Sequence, residues 1–198
     1  MKSEYKTTLP LKSINDAEPA AKVILENTKK KLGFVPNMYN AMANSPGLLN
    51  TYIQGYSAFR EKSGFSSIEQ EVIFLAISQA NGCEYCMAAH SFLAEAASGV
   101  PSDVTAAIRD DKPIPEMQLS ALSVFTHVMV ATRGLPGQTD VDAFLSAGYT
   151  EKDILEVIHA IAIKTISNYT NHIFHTEVDN IFSQHTWTGK KADIKSVA

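Results

Sequence analysis

The chain's only two cysteines, Cys83 and Cys86, sit in "NGCEYCMAAH", and His90 follows four residues after the second. Three readings compete for such a group: a redox dithiol, part of a metal site, or two small apolar residues that are merely buried neighbours. Cytosolic thiols are held reduced, so a close pair in such a protein is catalytic, redox-sensing or metal-binding rather than a staple. A bridge across so short a loop would also constrain little of the unfolded chain. A zinc ion would take Cys83, Cys86 and His90 with Glu71 as a fourth ligand. However, zinc usually draws its second ligand pair from a separate segment, and there is no second CxxC. His172 and His175 with Glu177 and Asp179 are a second conceivable metal cluster, read here as helix-surface and core residues. His127 and His159 read as core or partner-facing side chains.

Geometry adds to the redox case. On a helix starting after Gly82, Cys83, Cys86 and His90 fall at i, i+3 and i+7, one face within about 60°. Both thiols then lie at the helix start, where free N–H groups and the positive end of the dipole favour thiolate. Tyr85 points to another face. If the preceding helix folds back across Asn81-Gly82, Glu71 lies roughly 16 Å up one arm and His90 roughly 12 Å up the other. The two are then nearly level. Glu71 can orient the imidazole, and the imidazole, one turn from Cys86, can take its proton. Glu69 points about 200° away from Glu71 and competes poorly for that role.

Helices must position these residues, and the helical period runs through the chain. Asp16 reads as the N-cap of a helix that stops at Gly33. A short helix, a break at Ser45-Pro46 and a longer helix to about Ser63 follow. Ser66 or Ser67 caps the next, whose apolar positions Val72, Leu75, Ala76 and Gln79/Ala80 follow the 3–4 spacing and which Gly82 ends. The cysteine helix closes at Gly99. Further helices are expected at "VPSDVTAAIRDD", behind Pro115, at "VDAFLSAG", and from "TEKDILEVIHAIAIK" towards "FHTEVDNIF". "VIHAIAIKTI" could form a strand, but no other segment alternates convincingly to pair with it. The expectation is an all-α single domain over 1–198, with a polar, mobile tail from about 188. At an offset of 85, residues 71–90 lie over 156–175 with four identities in twenty, Glu71 on Glu156 and His90 on His175 among them. Cys83 and Cys86 fall on Asn168 and Asn171. A duplicated hairpin, active over about 66–99 and degenerate over about 150–182, would produce this pattern.

Composition narrows the partners. With 45% apolar and 19% charged residues the 198-residue chain is ordinary for a globular protein, and a net charge of −4 gives no reason to expect nucleic acid or an anionic membrane. No window approaches the ~18 apolar residues of a membrane span. The N-terminus lacks the apolar run of a signal peptide, so a cytoplasmic location is expected.

Glu71, eleven intervening residues, "CEYC", three residues and His90 together resemble the AhpD-like alkylhydroperoxidase family within the carboxymuconolactone decarboxylase superfamily. "GFVPNMYNAMANSPGLL" (33–49) is similar to the G-x-VPN…SP-x-L segment of its peroxidase-related members. The resemblance implies an AhpD-like helical bundle with two pseudo-repeated hairpins, assembling as a homotrimer or homohexamer. It implies a hydroperoxide substrate, Cys86 as the peroxidatic and Cys83 as the resolving cysteine, and His90 with Glu71 as the relay that deprotonates Cys86. Neither cofactor nor metal is implied beyond the redox-active disulfide, and a lipoylated or thioredoxin-like dithiol protein would be the reductant. One departure matters: the relay histidine that such proteins carry between the cysteines is Tyr85 here, and a phenol with a pKa near 10 is a poor base at neutral pH. The decarboxylase branch lacks the cysteine pair, which argues against lactone decarboxylation. The alternative is a non-catalytic helical oligomer whose CxxC-His site is a redox switch or binds a metal.

Overall fold

The structure, a computed structural model, describes residues 3–189. The tail expected to be mobile falls mostly on 190–198, outside the described residues. Nine α-helices and one 3₁₀ helix account for the regular structure there, with no strand among the described residues. They are α1 (Pro19–Leu32), α2 (Asn37–Met42), α3 (Pro46–Lys62), α4 (Ser67–Ala80), α5 (Glu84–Ala96), α6 (Ser102–Arg109), α7 (Met117–Ala131), α8 (Gln138–Ser146) and α9 (Glu151–Phe174), then the 3₁₀ helix Asn180–His185. The all-α expectation holds, and no helix of the described residues is long and apolar enough to cross a membrane.

α4 is the axis of the fold. Ser66 and Glu69 form a reciprocal capping box at its start. From Val72 to Ile77 every side chain is fully buried, because α5, α6, α7 and α9 surround the helix. The sequence suggests a single stripe through Val72, Leu75 and Ala76; the run is apolar all round, which is the pattern of a central helix. Phe59, Phe74 and Phe125 pack into this core from α3, α4 and α7.

α4 and α5 form the expected hairpin. Gly82 turns with φ 64°, a left-handed conformation that favours glycine, and the Cys83 N–H then donates to the Ser78 carbonyl at 2.9 Å. The other end of the proposed repeat differs. Over about 150–182 the chain is not a hairpin but one 24-residue helix, α9, followed by the 3₁₀ helix. The position aligned with Gly82 is Ser167, which continues the helix, and the chain leaves it only at His175, φ 51°. The start of α1 also differs: its N-cap is Glu18, with Pro19 in the first turn, whereas Asp16 accepts the Ser13 N–H at 2.5 Å in the turn before it.

Candidate active site

Cys83 is the N-cap residue of α5 and Cys86 lies in its first turn, so both thiols meet the unpaired N–H end of the helix. The two cysteines approach to 3.4 Å, and both are free thiols. Cys83 is 0% exposed and Cys86 2%, which makes this a dry site. α9 closes it from the other side. Asn171 Nδ2 donates to Cys86 Sγ at 3.3 Å and stands 3.9 Å from Cys83 Sγ.

The other arm of the hairpin supplies the residue that links His90 to α3. Glu71, wholly buried on α4, receives His90 Nδ1 on Oε2 at 2.8 Å and Arg60 Nη2 on Oε1. The level placement of Glu71 and His90 expected from helix rise is met. Arg60, from α3, was not singled out by sequence reasoning. It reaches Glu71 while its guanidinium lies over the rings of Tyr56 (5.0 Å) and Phe74 (4.8 Å). Burial works against the Glu71 carboxylate, but His90 and Arg60 outweigh it and hold its pKa below the ordinary value. With the carboxylate anionic, Nδ1 of His90 is the donor, leaving Nε2 as the basic nitrogen. Burial, then the charge of Lys164, hold the His90 pKa below its ordinary value against the pull of Glu71.

The thiols are driven apart. Burial pushes Cys83 well up, and its bond to Cys86 adds to this. Burial would raise Cys86 too, yet the Cys83 thiol, Lys164, His90 and Ser167 together bring it well below the ordinary thiol value. Asn171 lies closer to the Cys86 sulfur than to that of Cys83, which supports the same assignment. Lys164, from α9, is the second residue that sequence reasoning missed. It is 0% exposed, in the middle of a fully folded helix.

Tyr85 is not aimed at the sulfurs. Its hydroxyl donates to Asp179 Oδ2 at 2.5 Å, and its ring packs edge-on against Phe182. Burial and the Asp179 carboxylate both raise the phenol pKa, so Tyr85 is no base near neutral pH. Asp179 also accepts the Asn37 N–H, which ties the "VPN" segment to the 3₁₀ helix and α5. A polar cavity of about 10 Å³, room for about one water, adjoins Cys83 and is lined by Glu84, Asn171, His172, His175 and Thr176. A larger cavity of about 270 Å³ lies around His127 and Ile114 and touches none of these residues.

The remaining histidines are accounted for separately. His127 Nε2 faces the Ala76 carbonyl at 3.0 Å, His159 Nδ1 pairs with Glu156 at 3.2 Å, and His175 Nε2 meets the Ser3 carbonyl at 2.8 Å. Glu156 therefore pairs within its own helix and does not repeat the Glu71–His90 contact. Among the described residues no group of three or more His, Cys, Asp or Glu side chains is arranged to hold a metal ion. In the Cys–His cluster both Glu71 oxygens are already taken by Arg60 and His90.

Residues 46–122 match the carboxymuconolactone decarboxylase family model. No curated protein matches the chain. Its fold is similar to that of an alkylhydroperoxidase AhpD core, an uncharacterized peroxidase-related protein from Ralstonia eutropha JMP134. The TM-score is 0.77 at 21% identity over 91% of this chain and 96% of that one. An uncharacterized peroxidase-related protein from Silicibacter sp. TM1040 gives 0.74 at 20% identity, over 91% and 95% of the two chains. The debrominase Bmp8, in a complex with 2,3,4-tribromopyrrole, gives 0.74 at 18% identity over 93% and 97%.

Proposed function

We propose that the chain, whose residues 46–122 match the carboxymuconolactone decarboxylase family model and whose fold is similar to that of an AhpD core, is a cytoplasmic, thiol-dependent hydroperoxide and disulfide reductase of that superfamily. Cys86 is the attacking sulfur, Cys83 the resolving one, and the disulfide itself the only redox group. The observation that carries this reading is the series Arg60–Glu71–His90, with His90 one helical turn from Cys86 on α5 and Cys83 at 3.4 Å from that thiol.

The Cys86 thiolate attacks one peroxide oxygen and the O–O bond breaks. Cys86 becomes a sulfenic acid, and the departing alkoxide takes up a proton from solvent, giving an alcohol. Cys83 then attacks the Cys86 sulfur. The S–S bond forms, the S–O bond breaks, and the Cys83 proton leaves with hydroxide as water. A lipoylated or thioredoxin-like dithiol restores both thiols by two exchange steps, with the low-pKa Cys86 thiolate as the favoured leaving group. Assembly as a homotrimer or homohexamer, implied by the family resemblance, is supported by an apolar row on the outer face of α9. Leu155, Ile158, Tyr169 and Ile173 are all exposed there at helical spacing.

The test is thiol titration with intact-mass spectrometry, before and after one equivalent of cumene hydroperoxide. Rapid loss of both thiols and two hydrogens, reversed by a dithiol, is expected. Cys86→Ser should abolish turnover, and Cys83→Ser should leave a sulfenate trappable by a dione reagent. Peroxide consumption that survives in Cys86→Ser would sink the proposal. Slow oxidation without repeated turnover would favour the redox-switch alternative.

A further inference from the structure

Every charged side chain of the buried site except one has a partner. Arg60, Glu71 and His90 bond to each other in series. Lys164 is fully buried, and its Nζ has no hydrogen-bond partner among the described residues. The Phe74 ring lies 5.5 Å from it, and that same ring packs on His90 at 4.9 Å. An isolated ammonium in a dry site costs several kcal/mol, so such a residue stays charged only opposite an anion. On α9, Asn168 follows Lys164 by one turn and Asn171 by two, placing all three on one face. Asn171 reaches the Cys86 sulfur at 3.3 Å. The face that carries Lys164 is therefore the face that meets the thiols.

We propose that Lys164 is the counter-ion of the Cys86 thiolate, so that the thiolate exists at rest as a buried ion pair rather than through transfer of its proton to His90. The proposal rests on Cys86 being the reactive sulfur and adds what holds it ionised. Charge balance supports it. Arg60 and Lys164 supply two positive charges, Glu71 and the Cys86 thiolate two negative ones, and His90 stays neutral. A proton moved from Cys86 to His90 would instead create an imidazolium in the same dry cluster as Lys164, and both burial and Lys164 oppose that. The titratable groups within electrostatic reach of Cys86 are Cys83, Tyr85 and His90 from α5, Tyr52 from α3, and Lys164 and His172 from α9, with Glu71 behind His90. Of these, only Lys164 is a lysine, and no carboxylate bonds its Nζ among the described residues.

The experiment follows the rate of Cys86 alkylation by iodoacetamide against pH, mapped by peptide mass spectrometry, in wild type, Lys164→Met, Lys164→Gln and His90→Gln. The midpoint does not depend on how easily the reagent enters. Removing the cation should raise it by about two pH units, the size of shift an adjacent opposite charge produces. His90→Gln should move it by less than about half a unit. Lys164→Met should melt no lower than wild type, since a neutral isostere of a buried charge is neutral to stabilising. An unmoved midpoint in the folded lysine variants would overturn the proposal, as would an equal shift in His90→Gln. Failure of Lys164→Met to fold would also overturn it, because that is the outcome for a structural lysine. These arms stay readable if the wild type proves inert to peroxide, a result that would remove the proposed function instead.

Discussion

Tyr85→Phe separates holding from proton transfer at the residue between the two cysteines. The tyrosine hydroxyl donates to Asp179 at 2.5 Å, and Asp179 also accepts the Asn37 N–H at 3.2 Å. One carboxylate thus joins the start of α2, the first turn of α5 and the approach to the 3₁₀ helix. A hydrogen bond to a charged acceptor contributes about 1.5–3 kcal/mol. Asp179 is only half-buried and keeps the Asn37 amide, so the loss should sit near the low end, about 1.5 kcal/mol. In a chain of this length about 1 kcal/mol shifts the melting temperature by about 2–4 °C, which gives a fall of about 3–6 °C.

The rate of Cys86 oxidation by peroxide should hardly move, because the phenol is held away from the sulfurs and its pKa is raised by burial and by Asp179. A proton-relay residue contributes about 10²–10⁴-fold. The assay pairs a thermal melt with stopped-flow peroxide consumption. A loss of about a hundredfold in rate with the melt unchanged would refute this argument and put Tyr85 in the relay.

Two further outcomes are expected. Stability should fall on acidification in two stages. His90 is held neutral in the fold, so charging it penalises the native state as pH drops below its ordinary 6.5. Glu71 contributes stability that is present above its ordinary 4.5 and lost as pH falls through its lowered value. The share of Cys86 is complete only above its ordinary 9.0 and shrinks as pH falls, in the same direction. A melting temperature flat from about pH 7 to about pH 2 would contradict all three. Gly82→Ala forces an L side chain to φ 64° at the hairpin turn. It should cost about 1–2 kcal/mol, read as a lower denaturant midpoint at constant slope, and an unchanged midpoint would show that the turn needs no glycine.

What the sequence made legible was local. Ser66 with Glu69, Gly82, and the i, i+3, i+7 placement of Cys83, Cys86 and His90 depend on spacing within one hairpin. Helix rise alone brings Glu71 level with His90. Arg60 and Lys164 escaped because the groups they face lie on other helices. A lysine within "VIHAIAIKTI" reads as one that extends its ammonium to solvent, and nothing local says that the helix turns it inward. A signal did exist in the faint repeat. Asn168 and Asn171 align with the cysteines and share a helical face with Lys164, so a polar row inside an apolar segment marked the side of α9 that faces the thiols. Over the segment aligned with the hairpin, Ser167 stands where Gly82 turns the chain, and without a glycine there the helix keeps running.

α9 is inverted over its last three turns, and this bears on how so buried a pair of thiols is reached. Its inner face there carries Lys164, Ser167, Asn168 and Asn171, all buried, while Tyr169 and Ile173 point outward. The hydrophobic effect holds the first half of the helix to the bundle through Val157, Ala160 and Ile163. It gives the second half little. That half is held instead by polar contacts and by its surroundings: the hydrogen bond from Asn81 Nδ2 to Asn168 Oδ1 at 2.9 Å, the Thr7 N–H on the Ile173 carbonyl at 3.0 Å, and His175 on the Ser3 carbonyl. Several of the buried polar atoms there, Asn168 Nδ2, Asn171 Oδ1 and His172 Nε2, have no hydrogen-bond partner among the described residues. Segments with few buried apolar contacts open at the lowest free energy. The least costly route to Cys83 and Cys86 is therefore between α5 and the end of α9, where the small polar cavity already reaches Cys83. A dithiol reductant of the proposed kind, entering there, would meet the Cys83 sulfur first and expel Cys86 as the leaving thiolate.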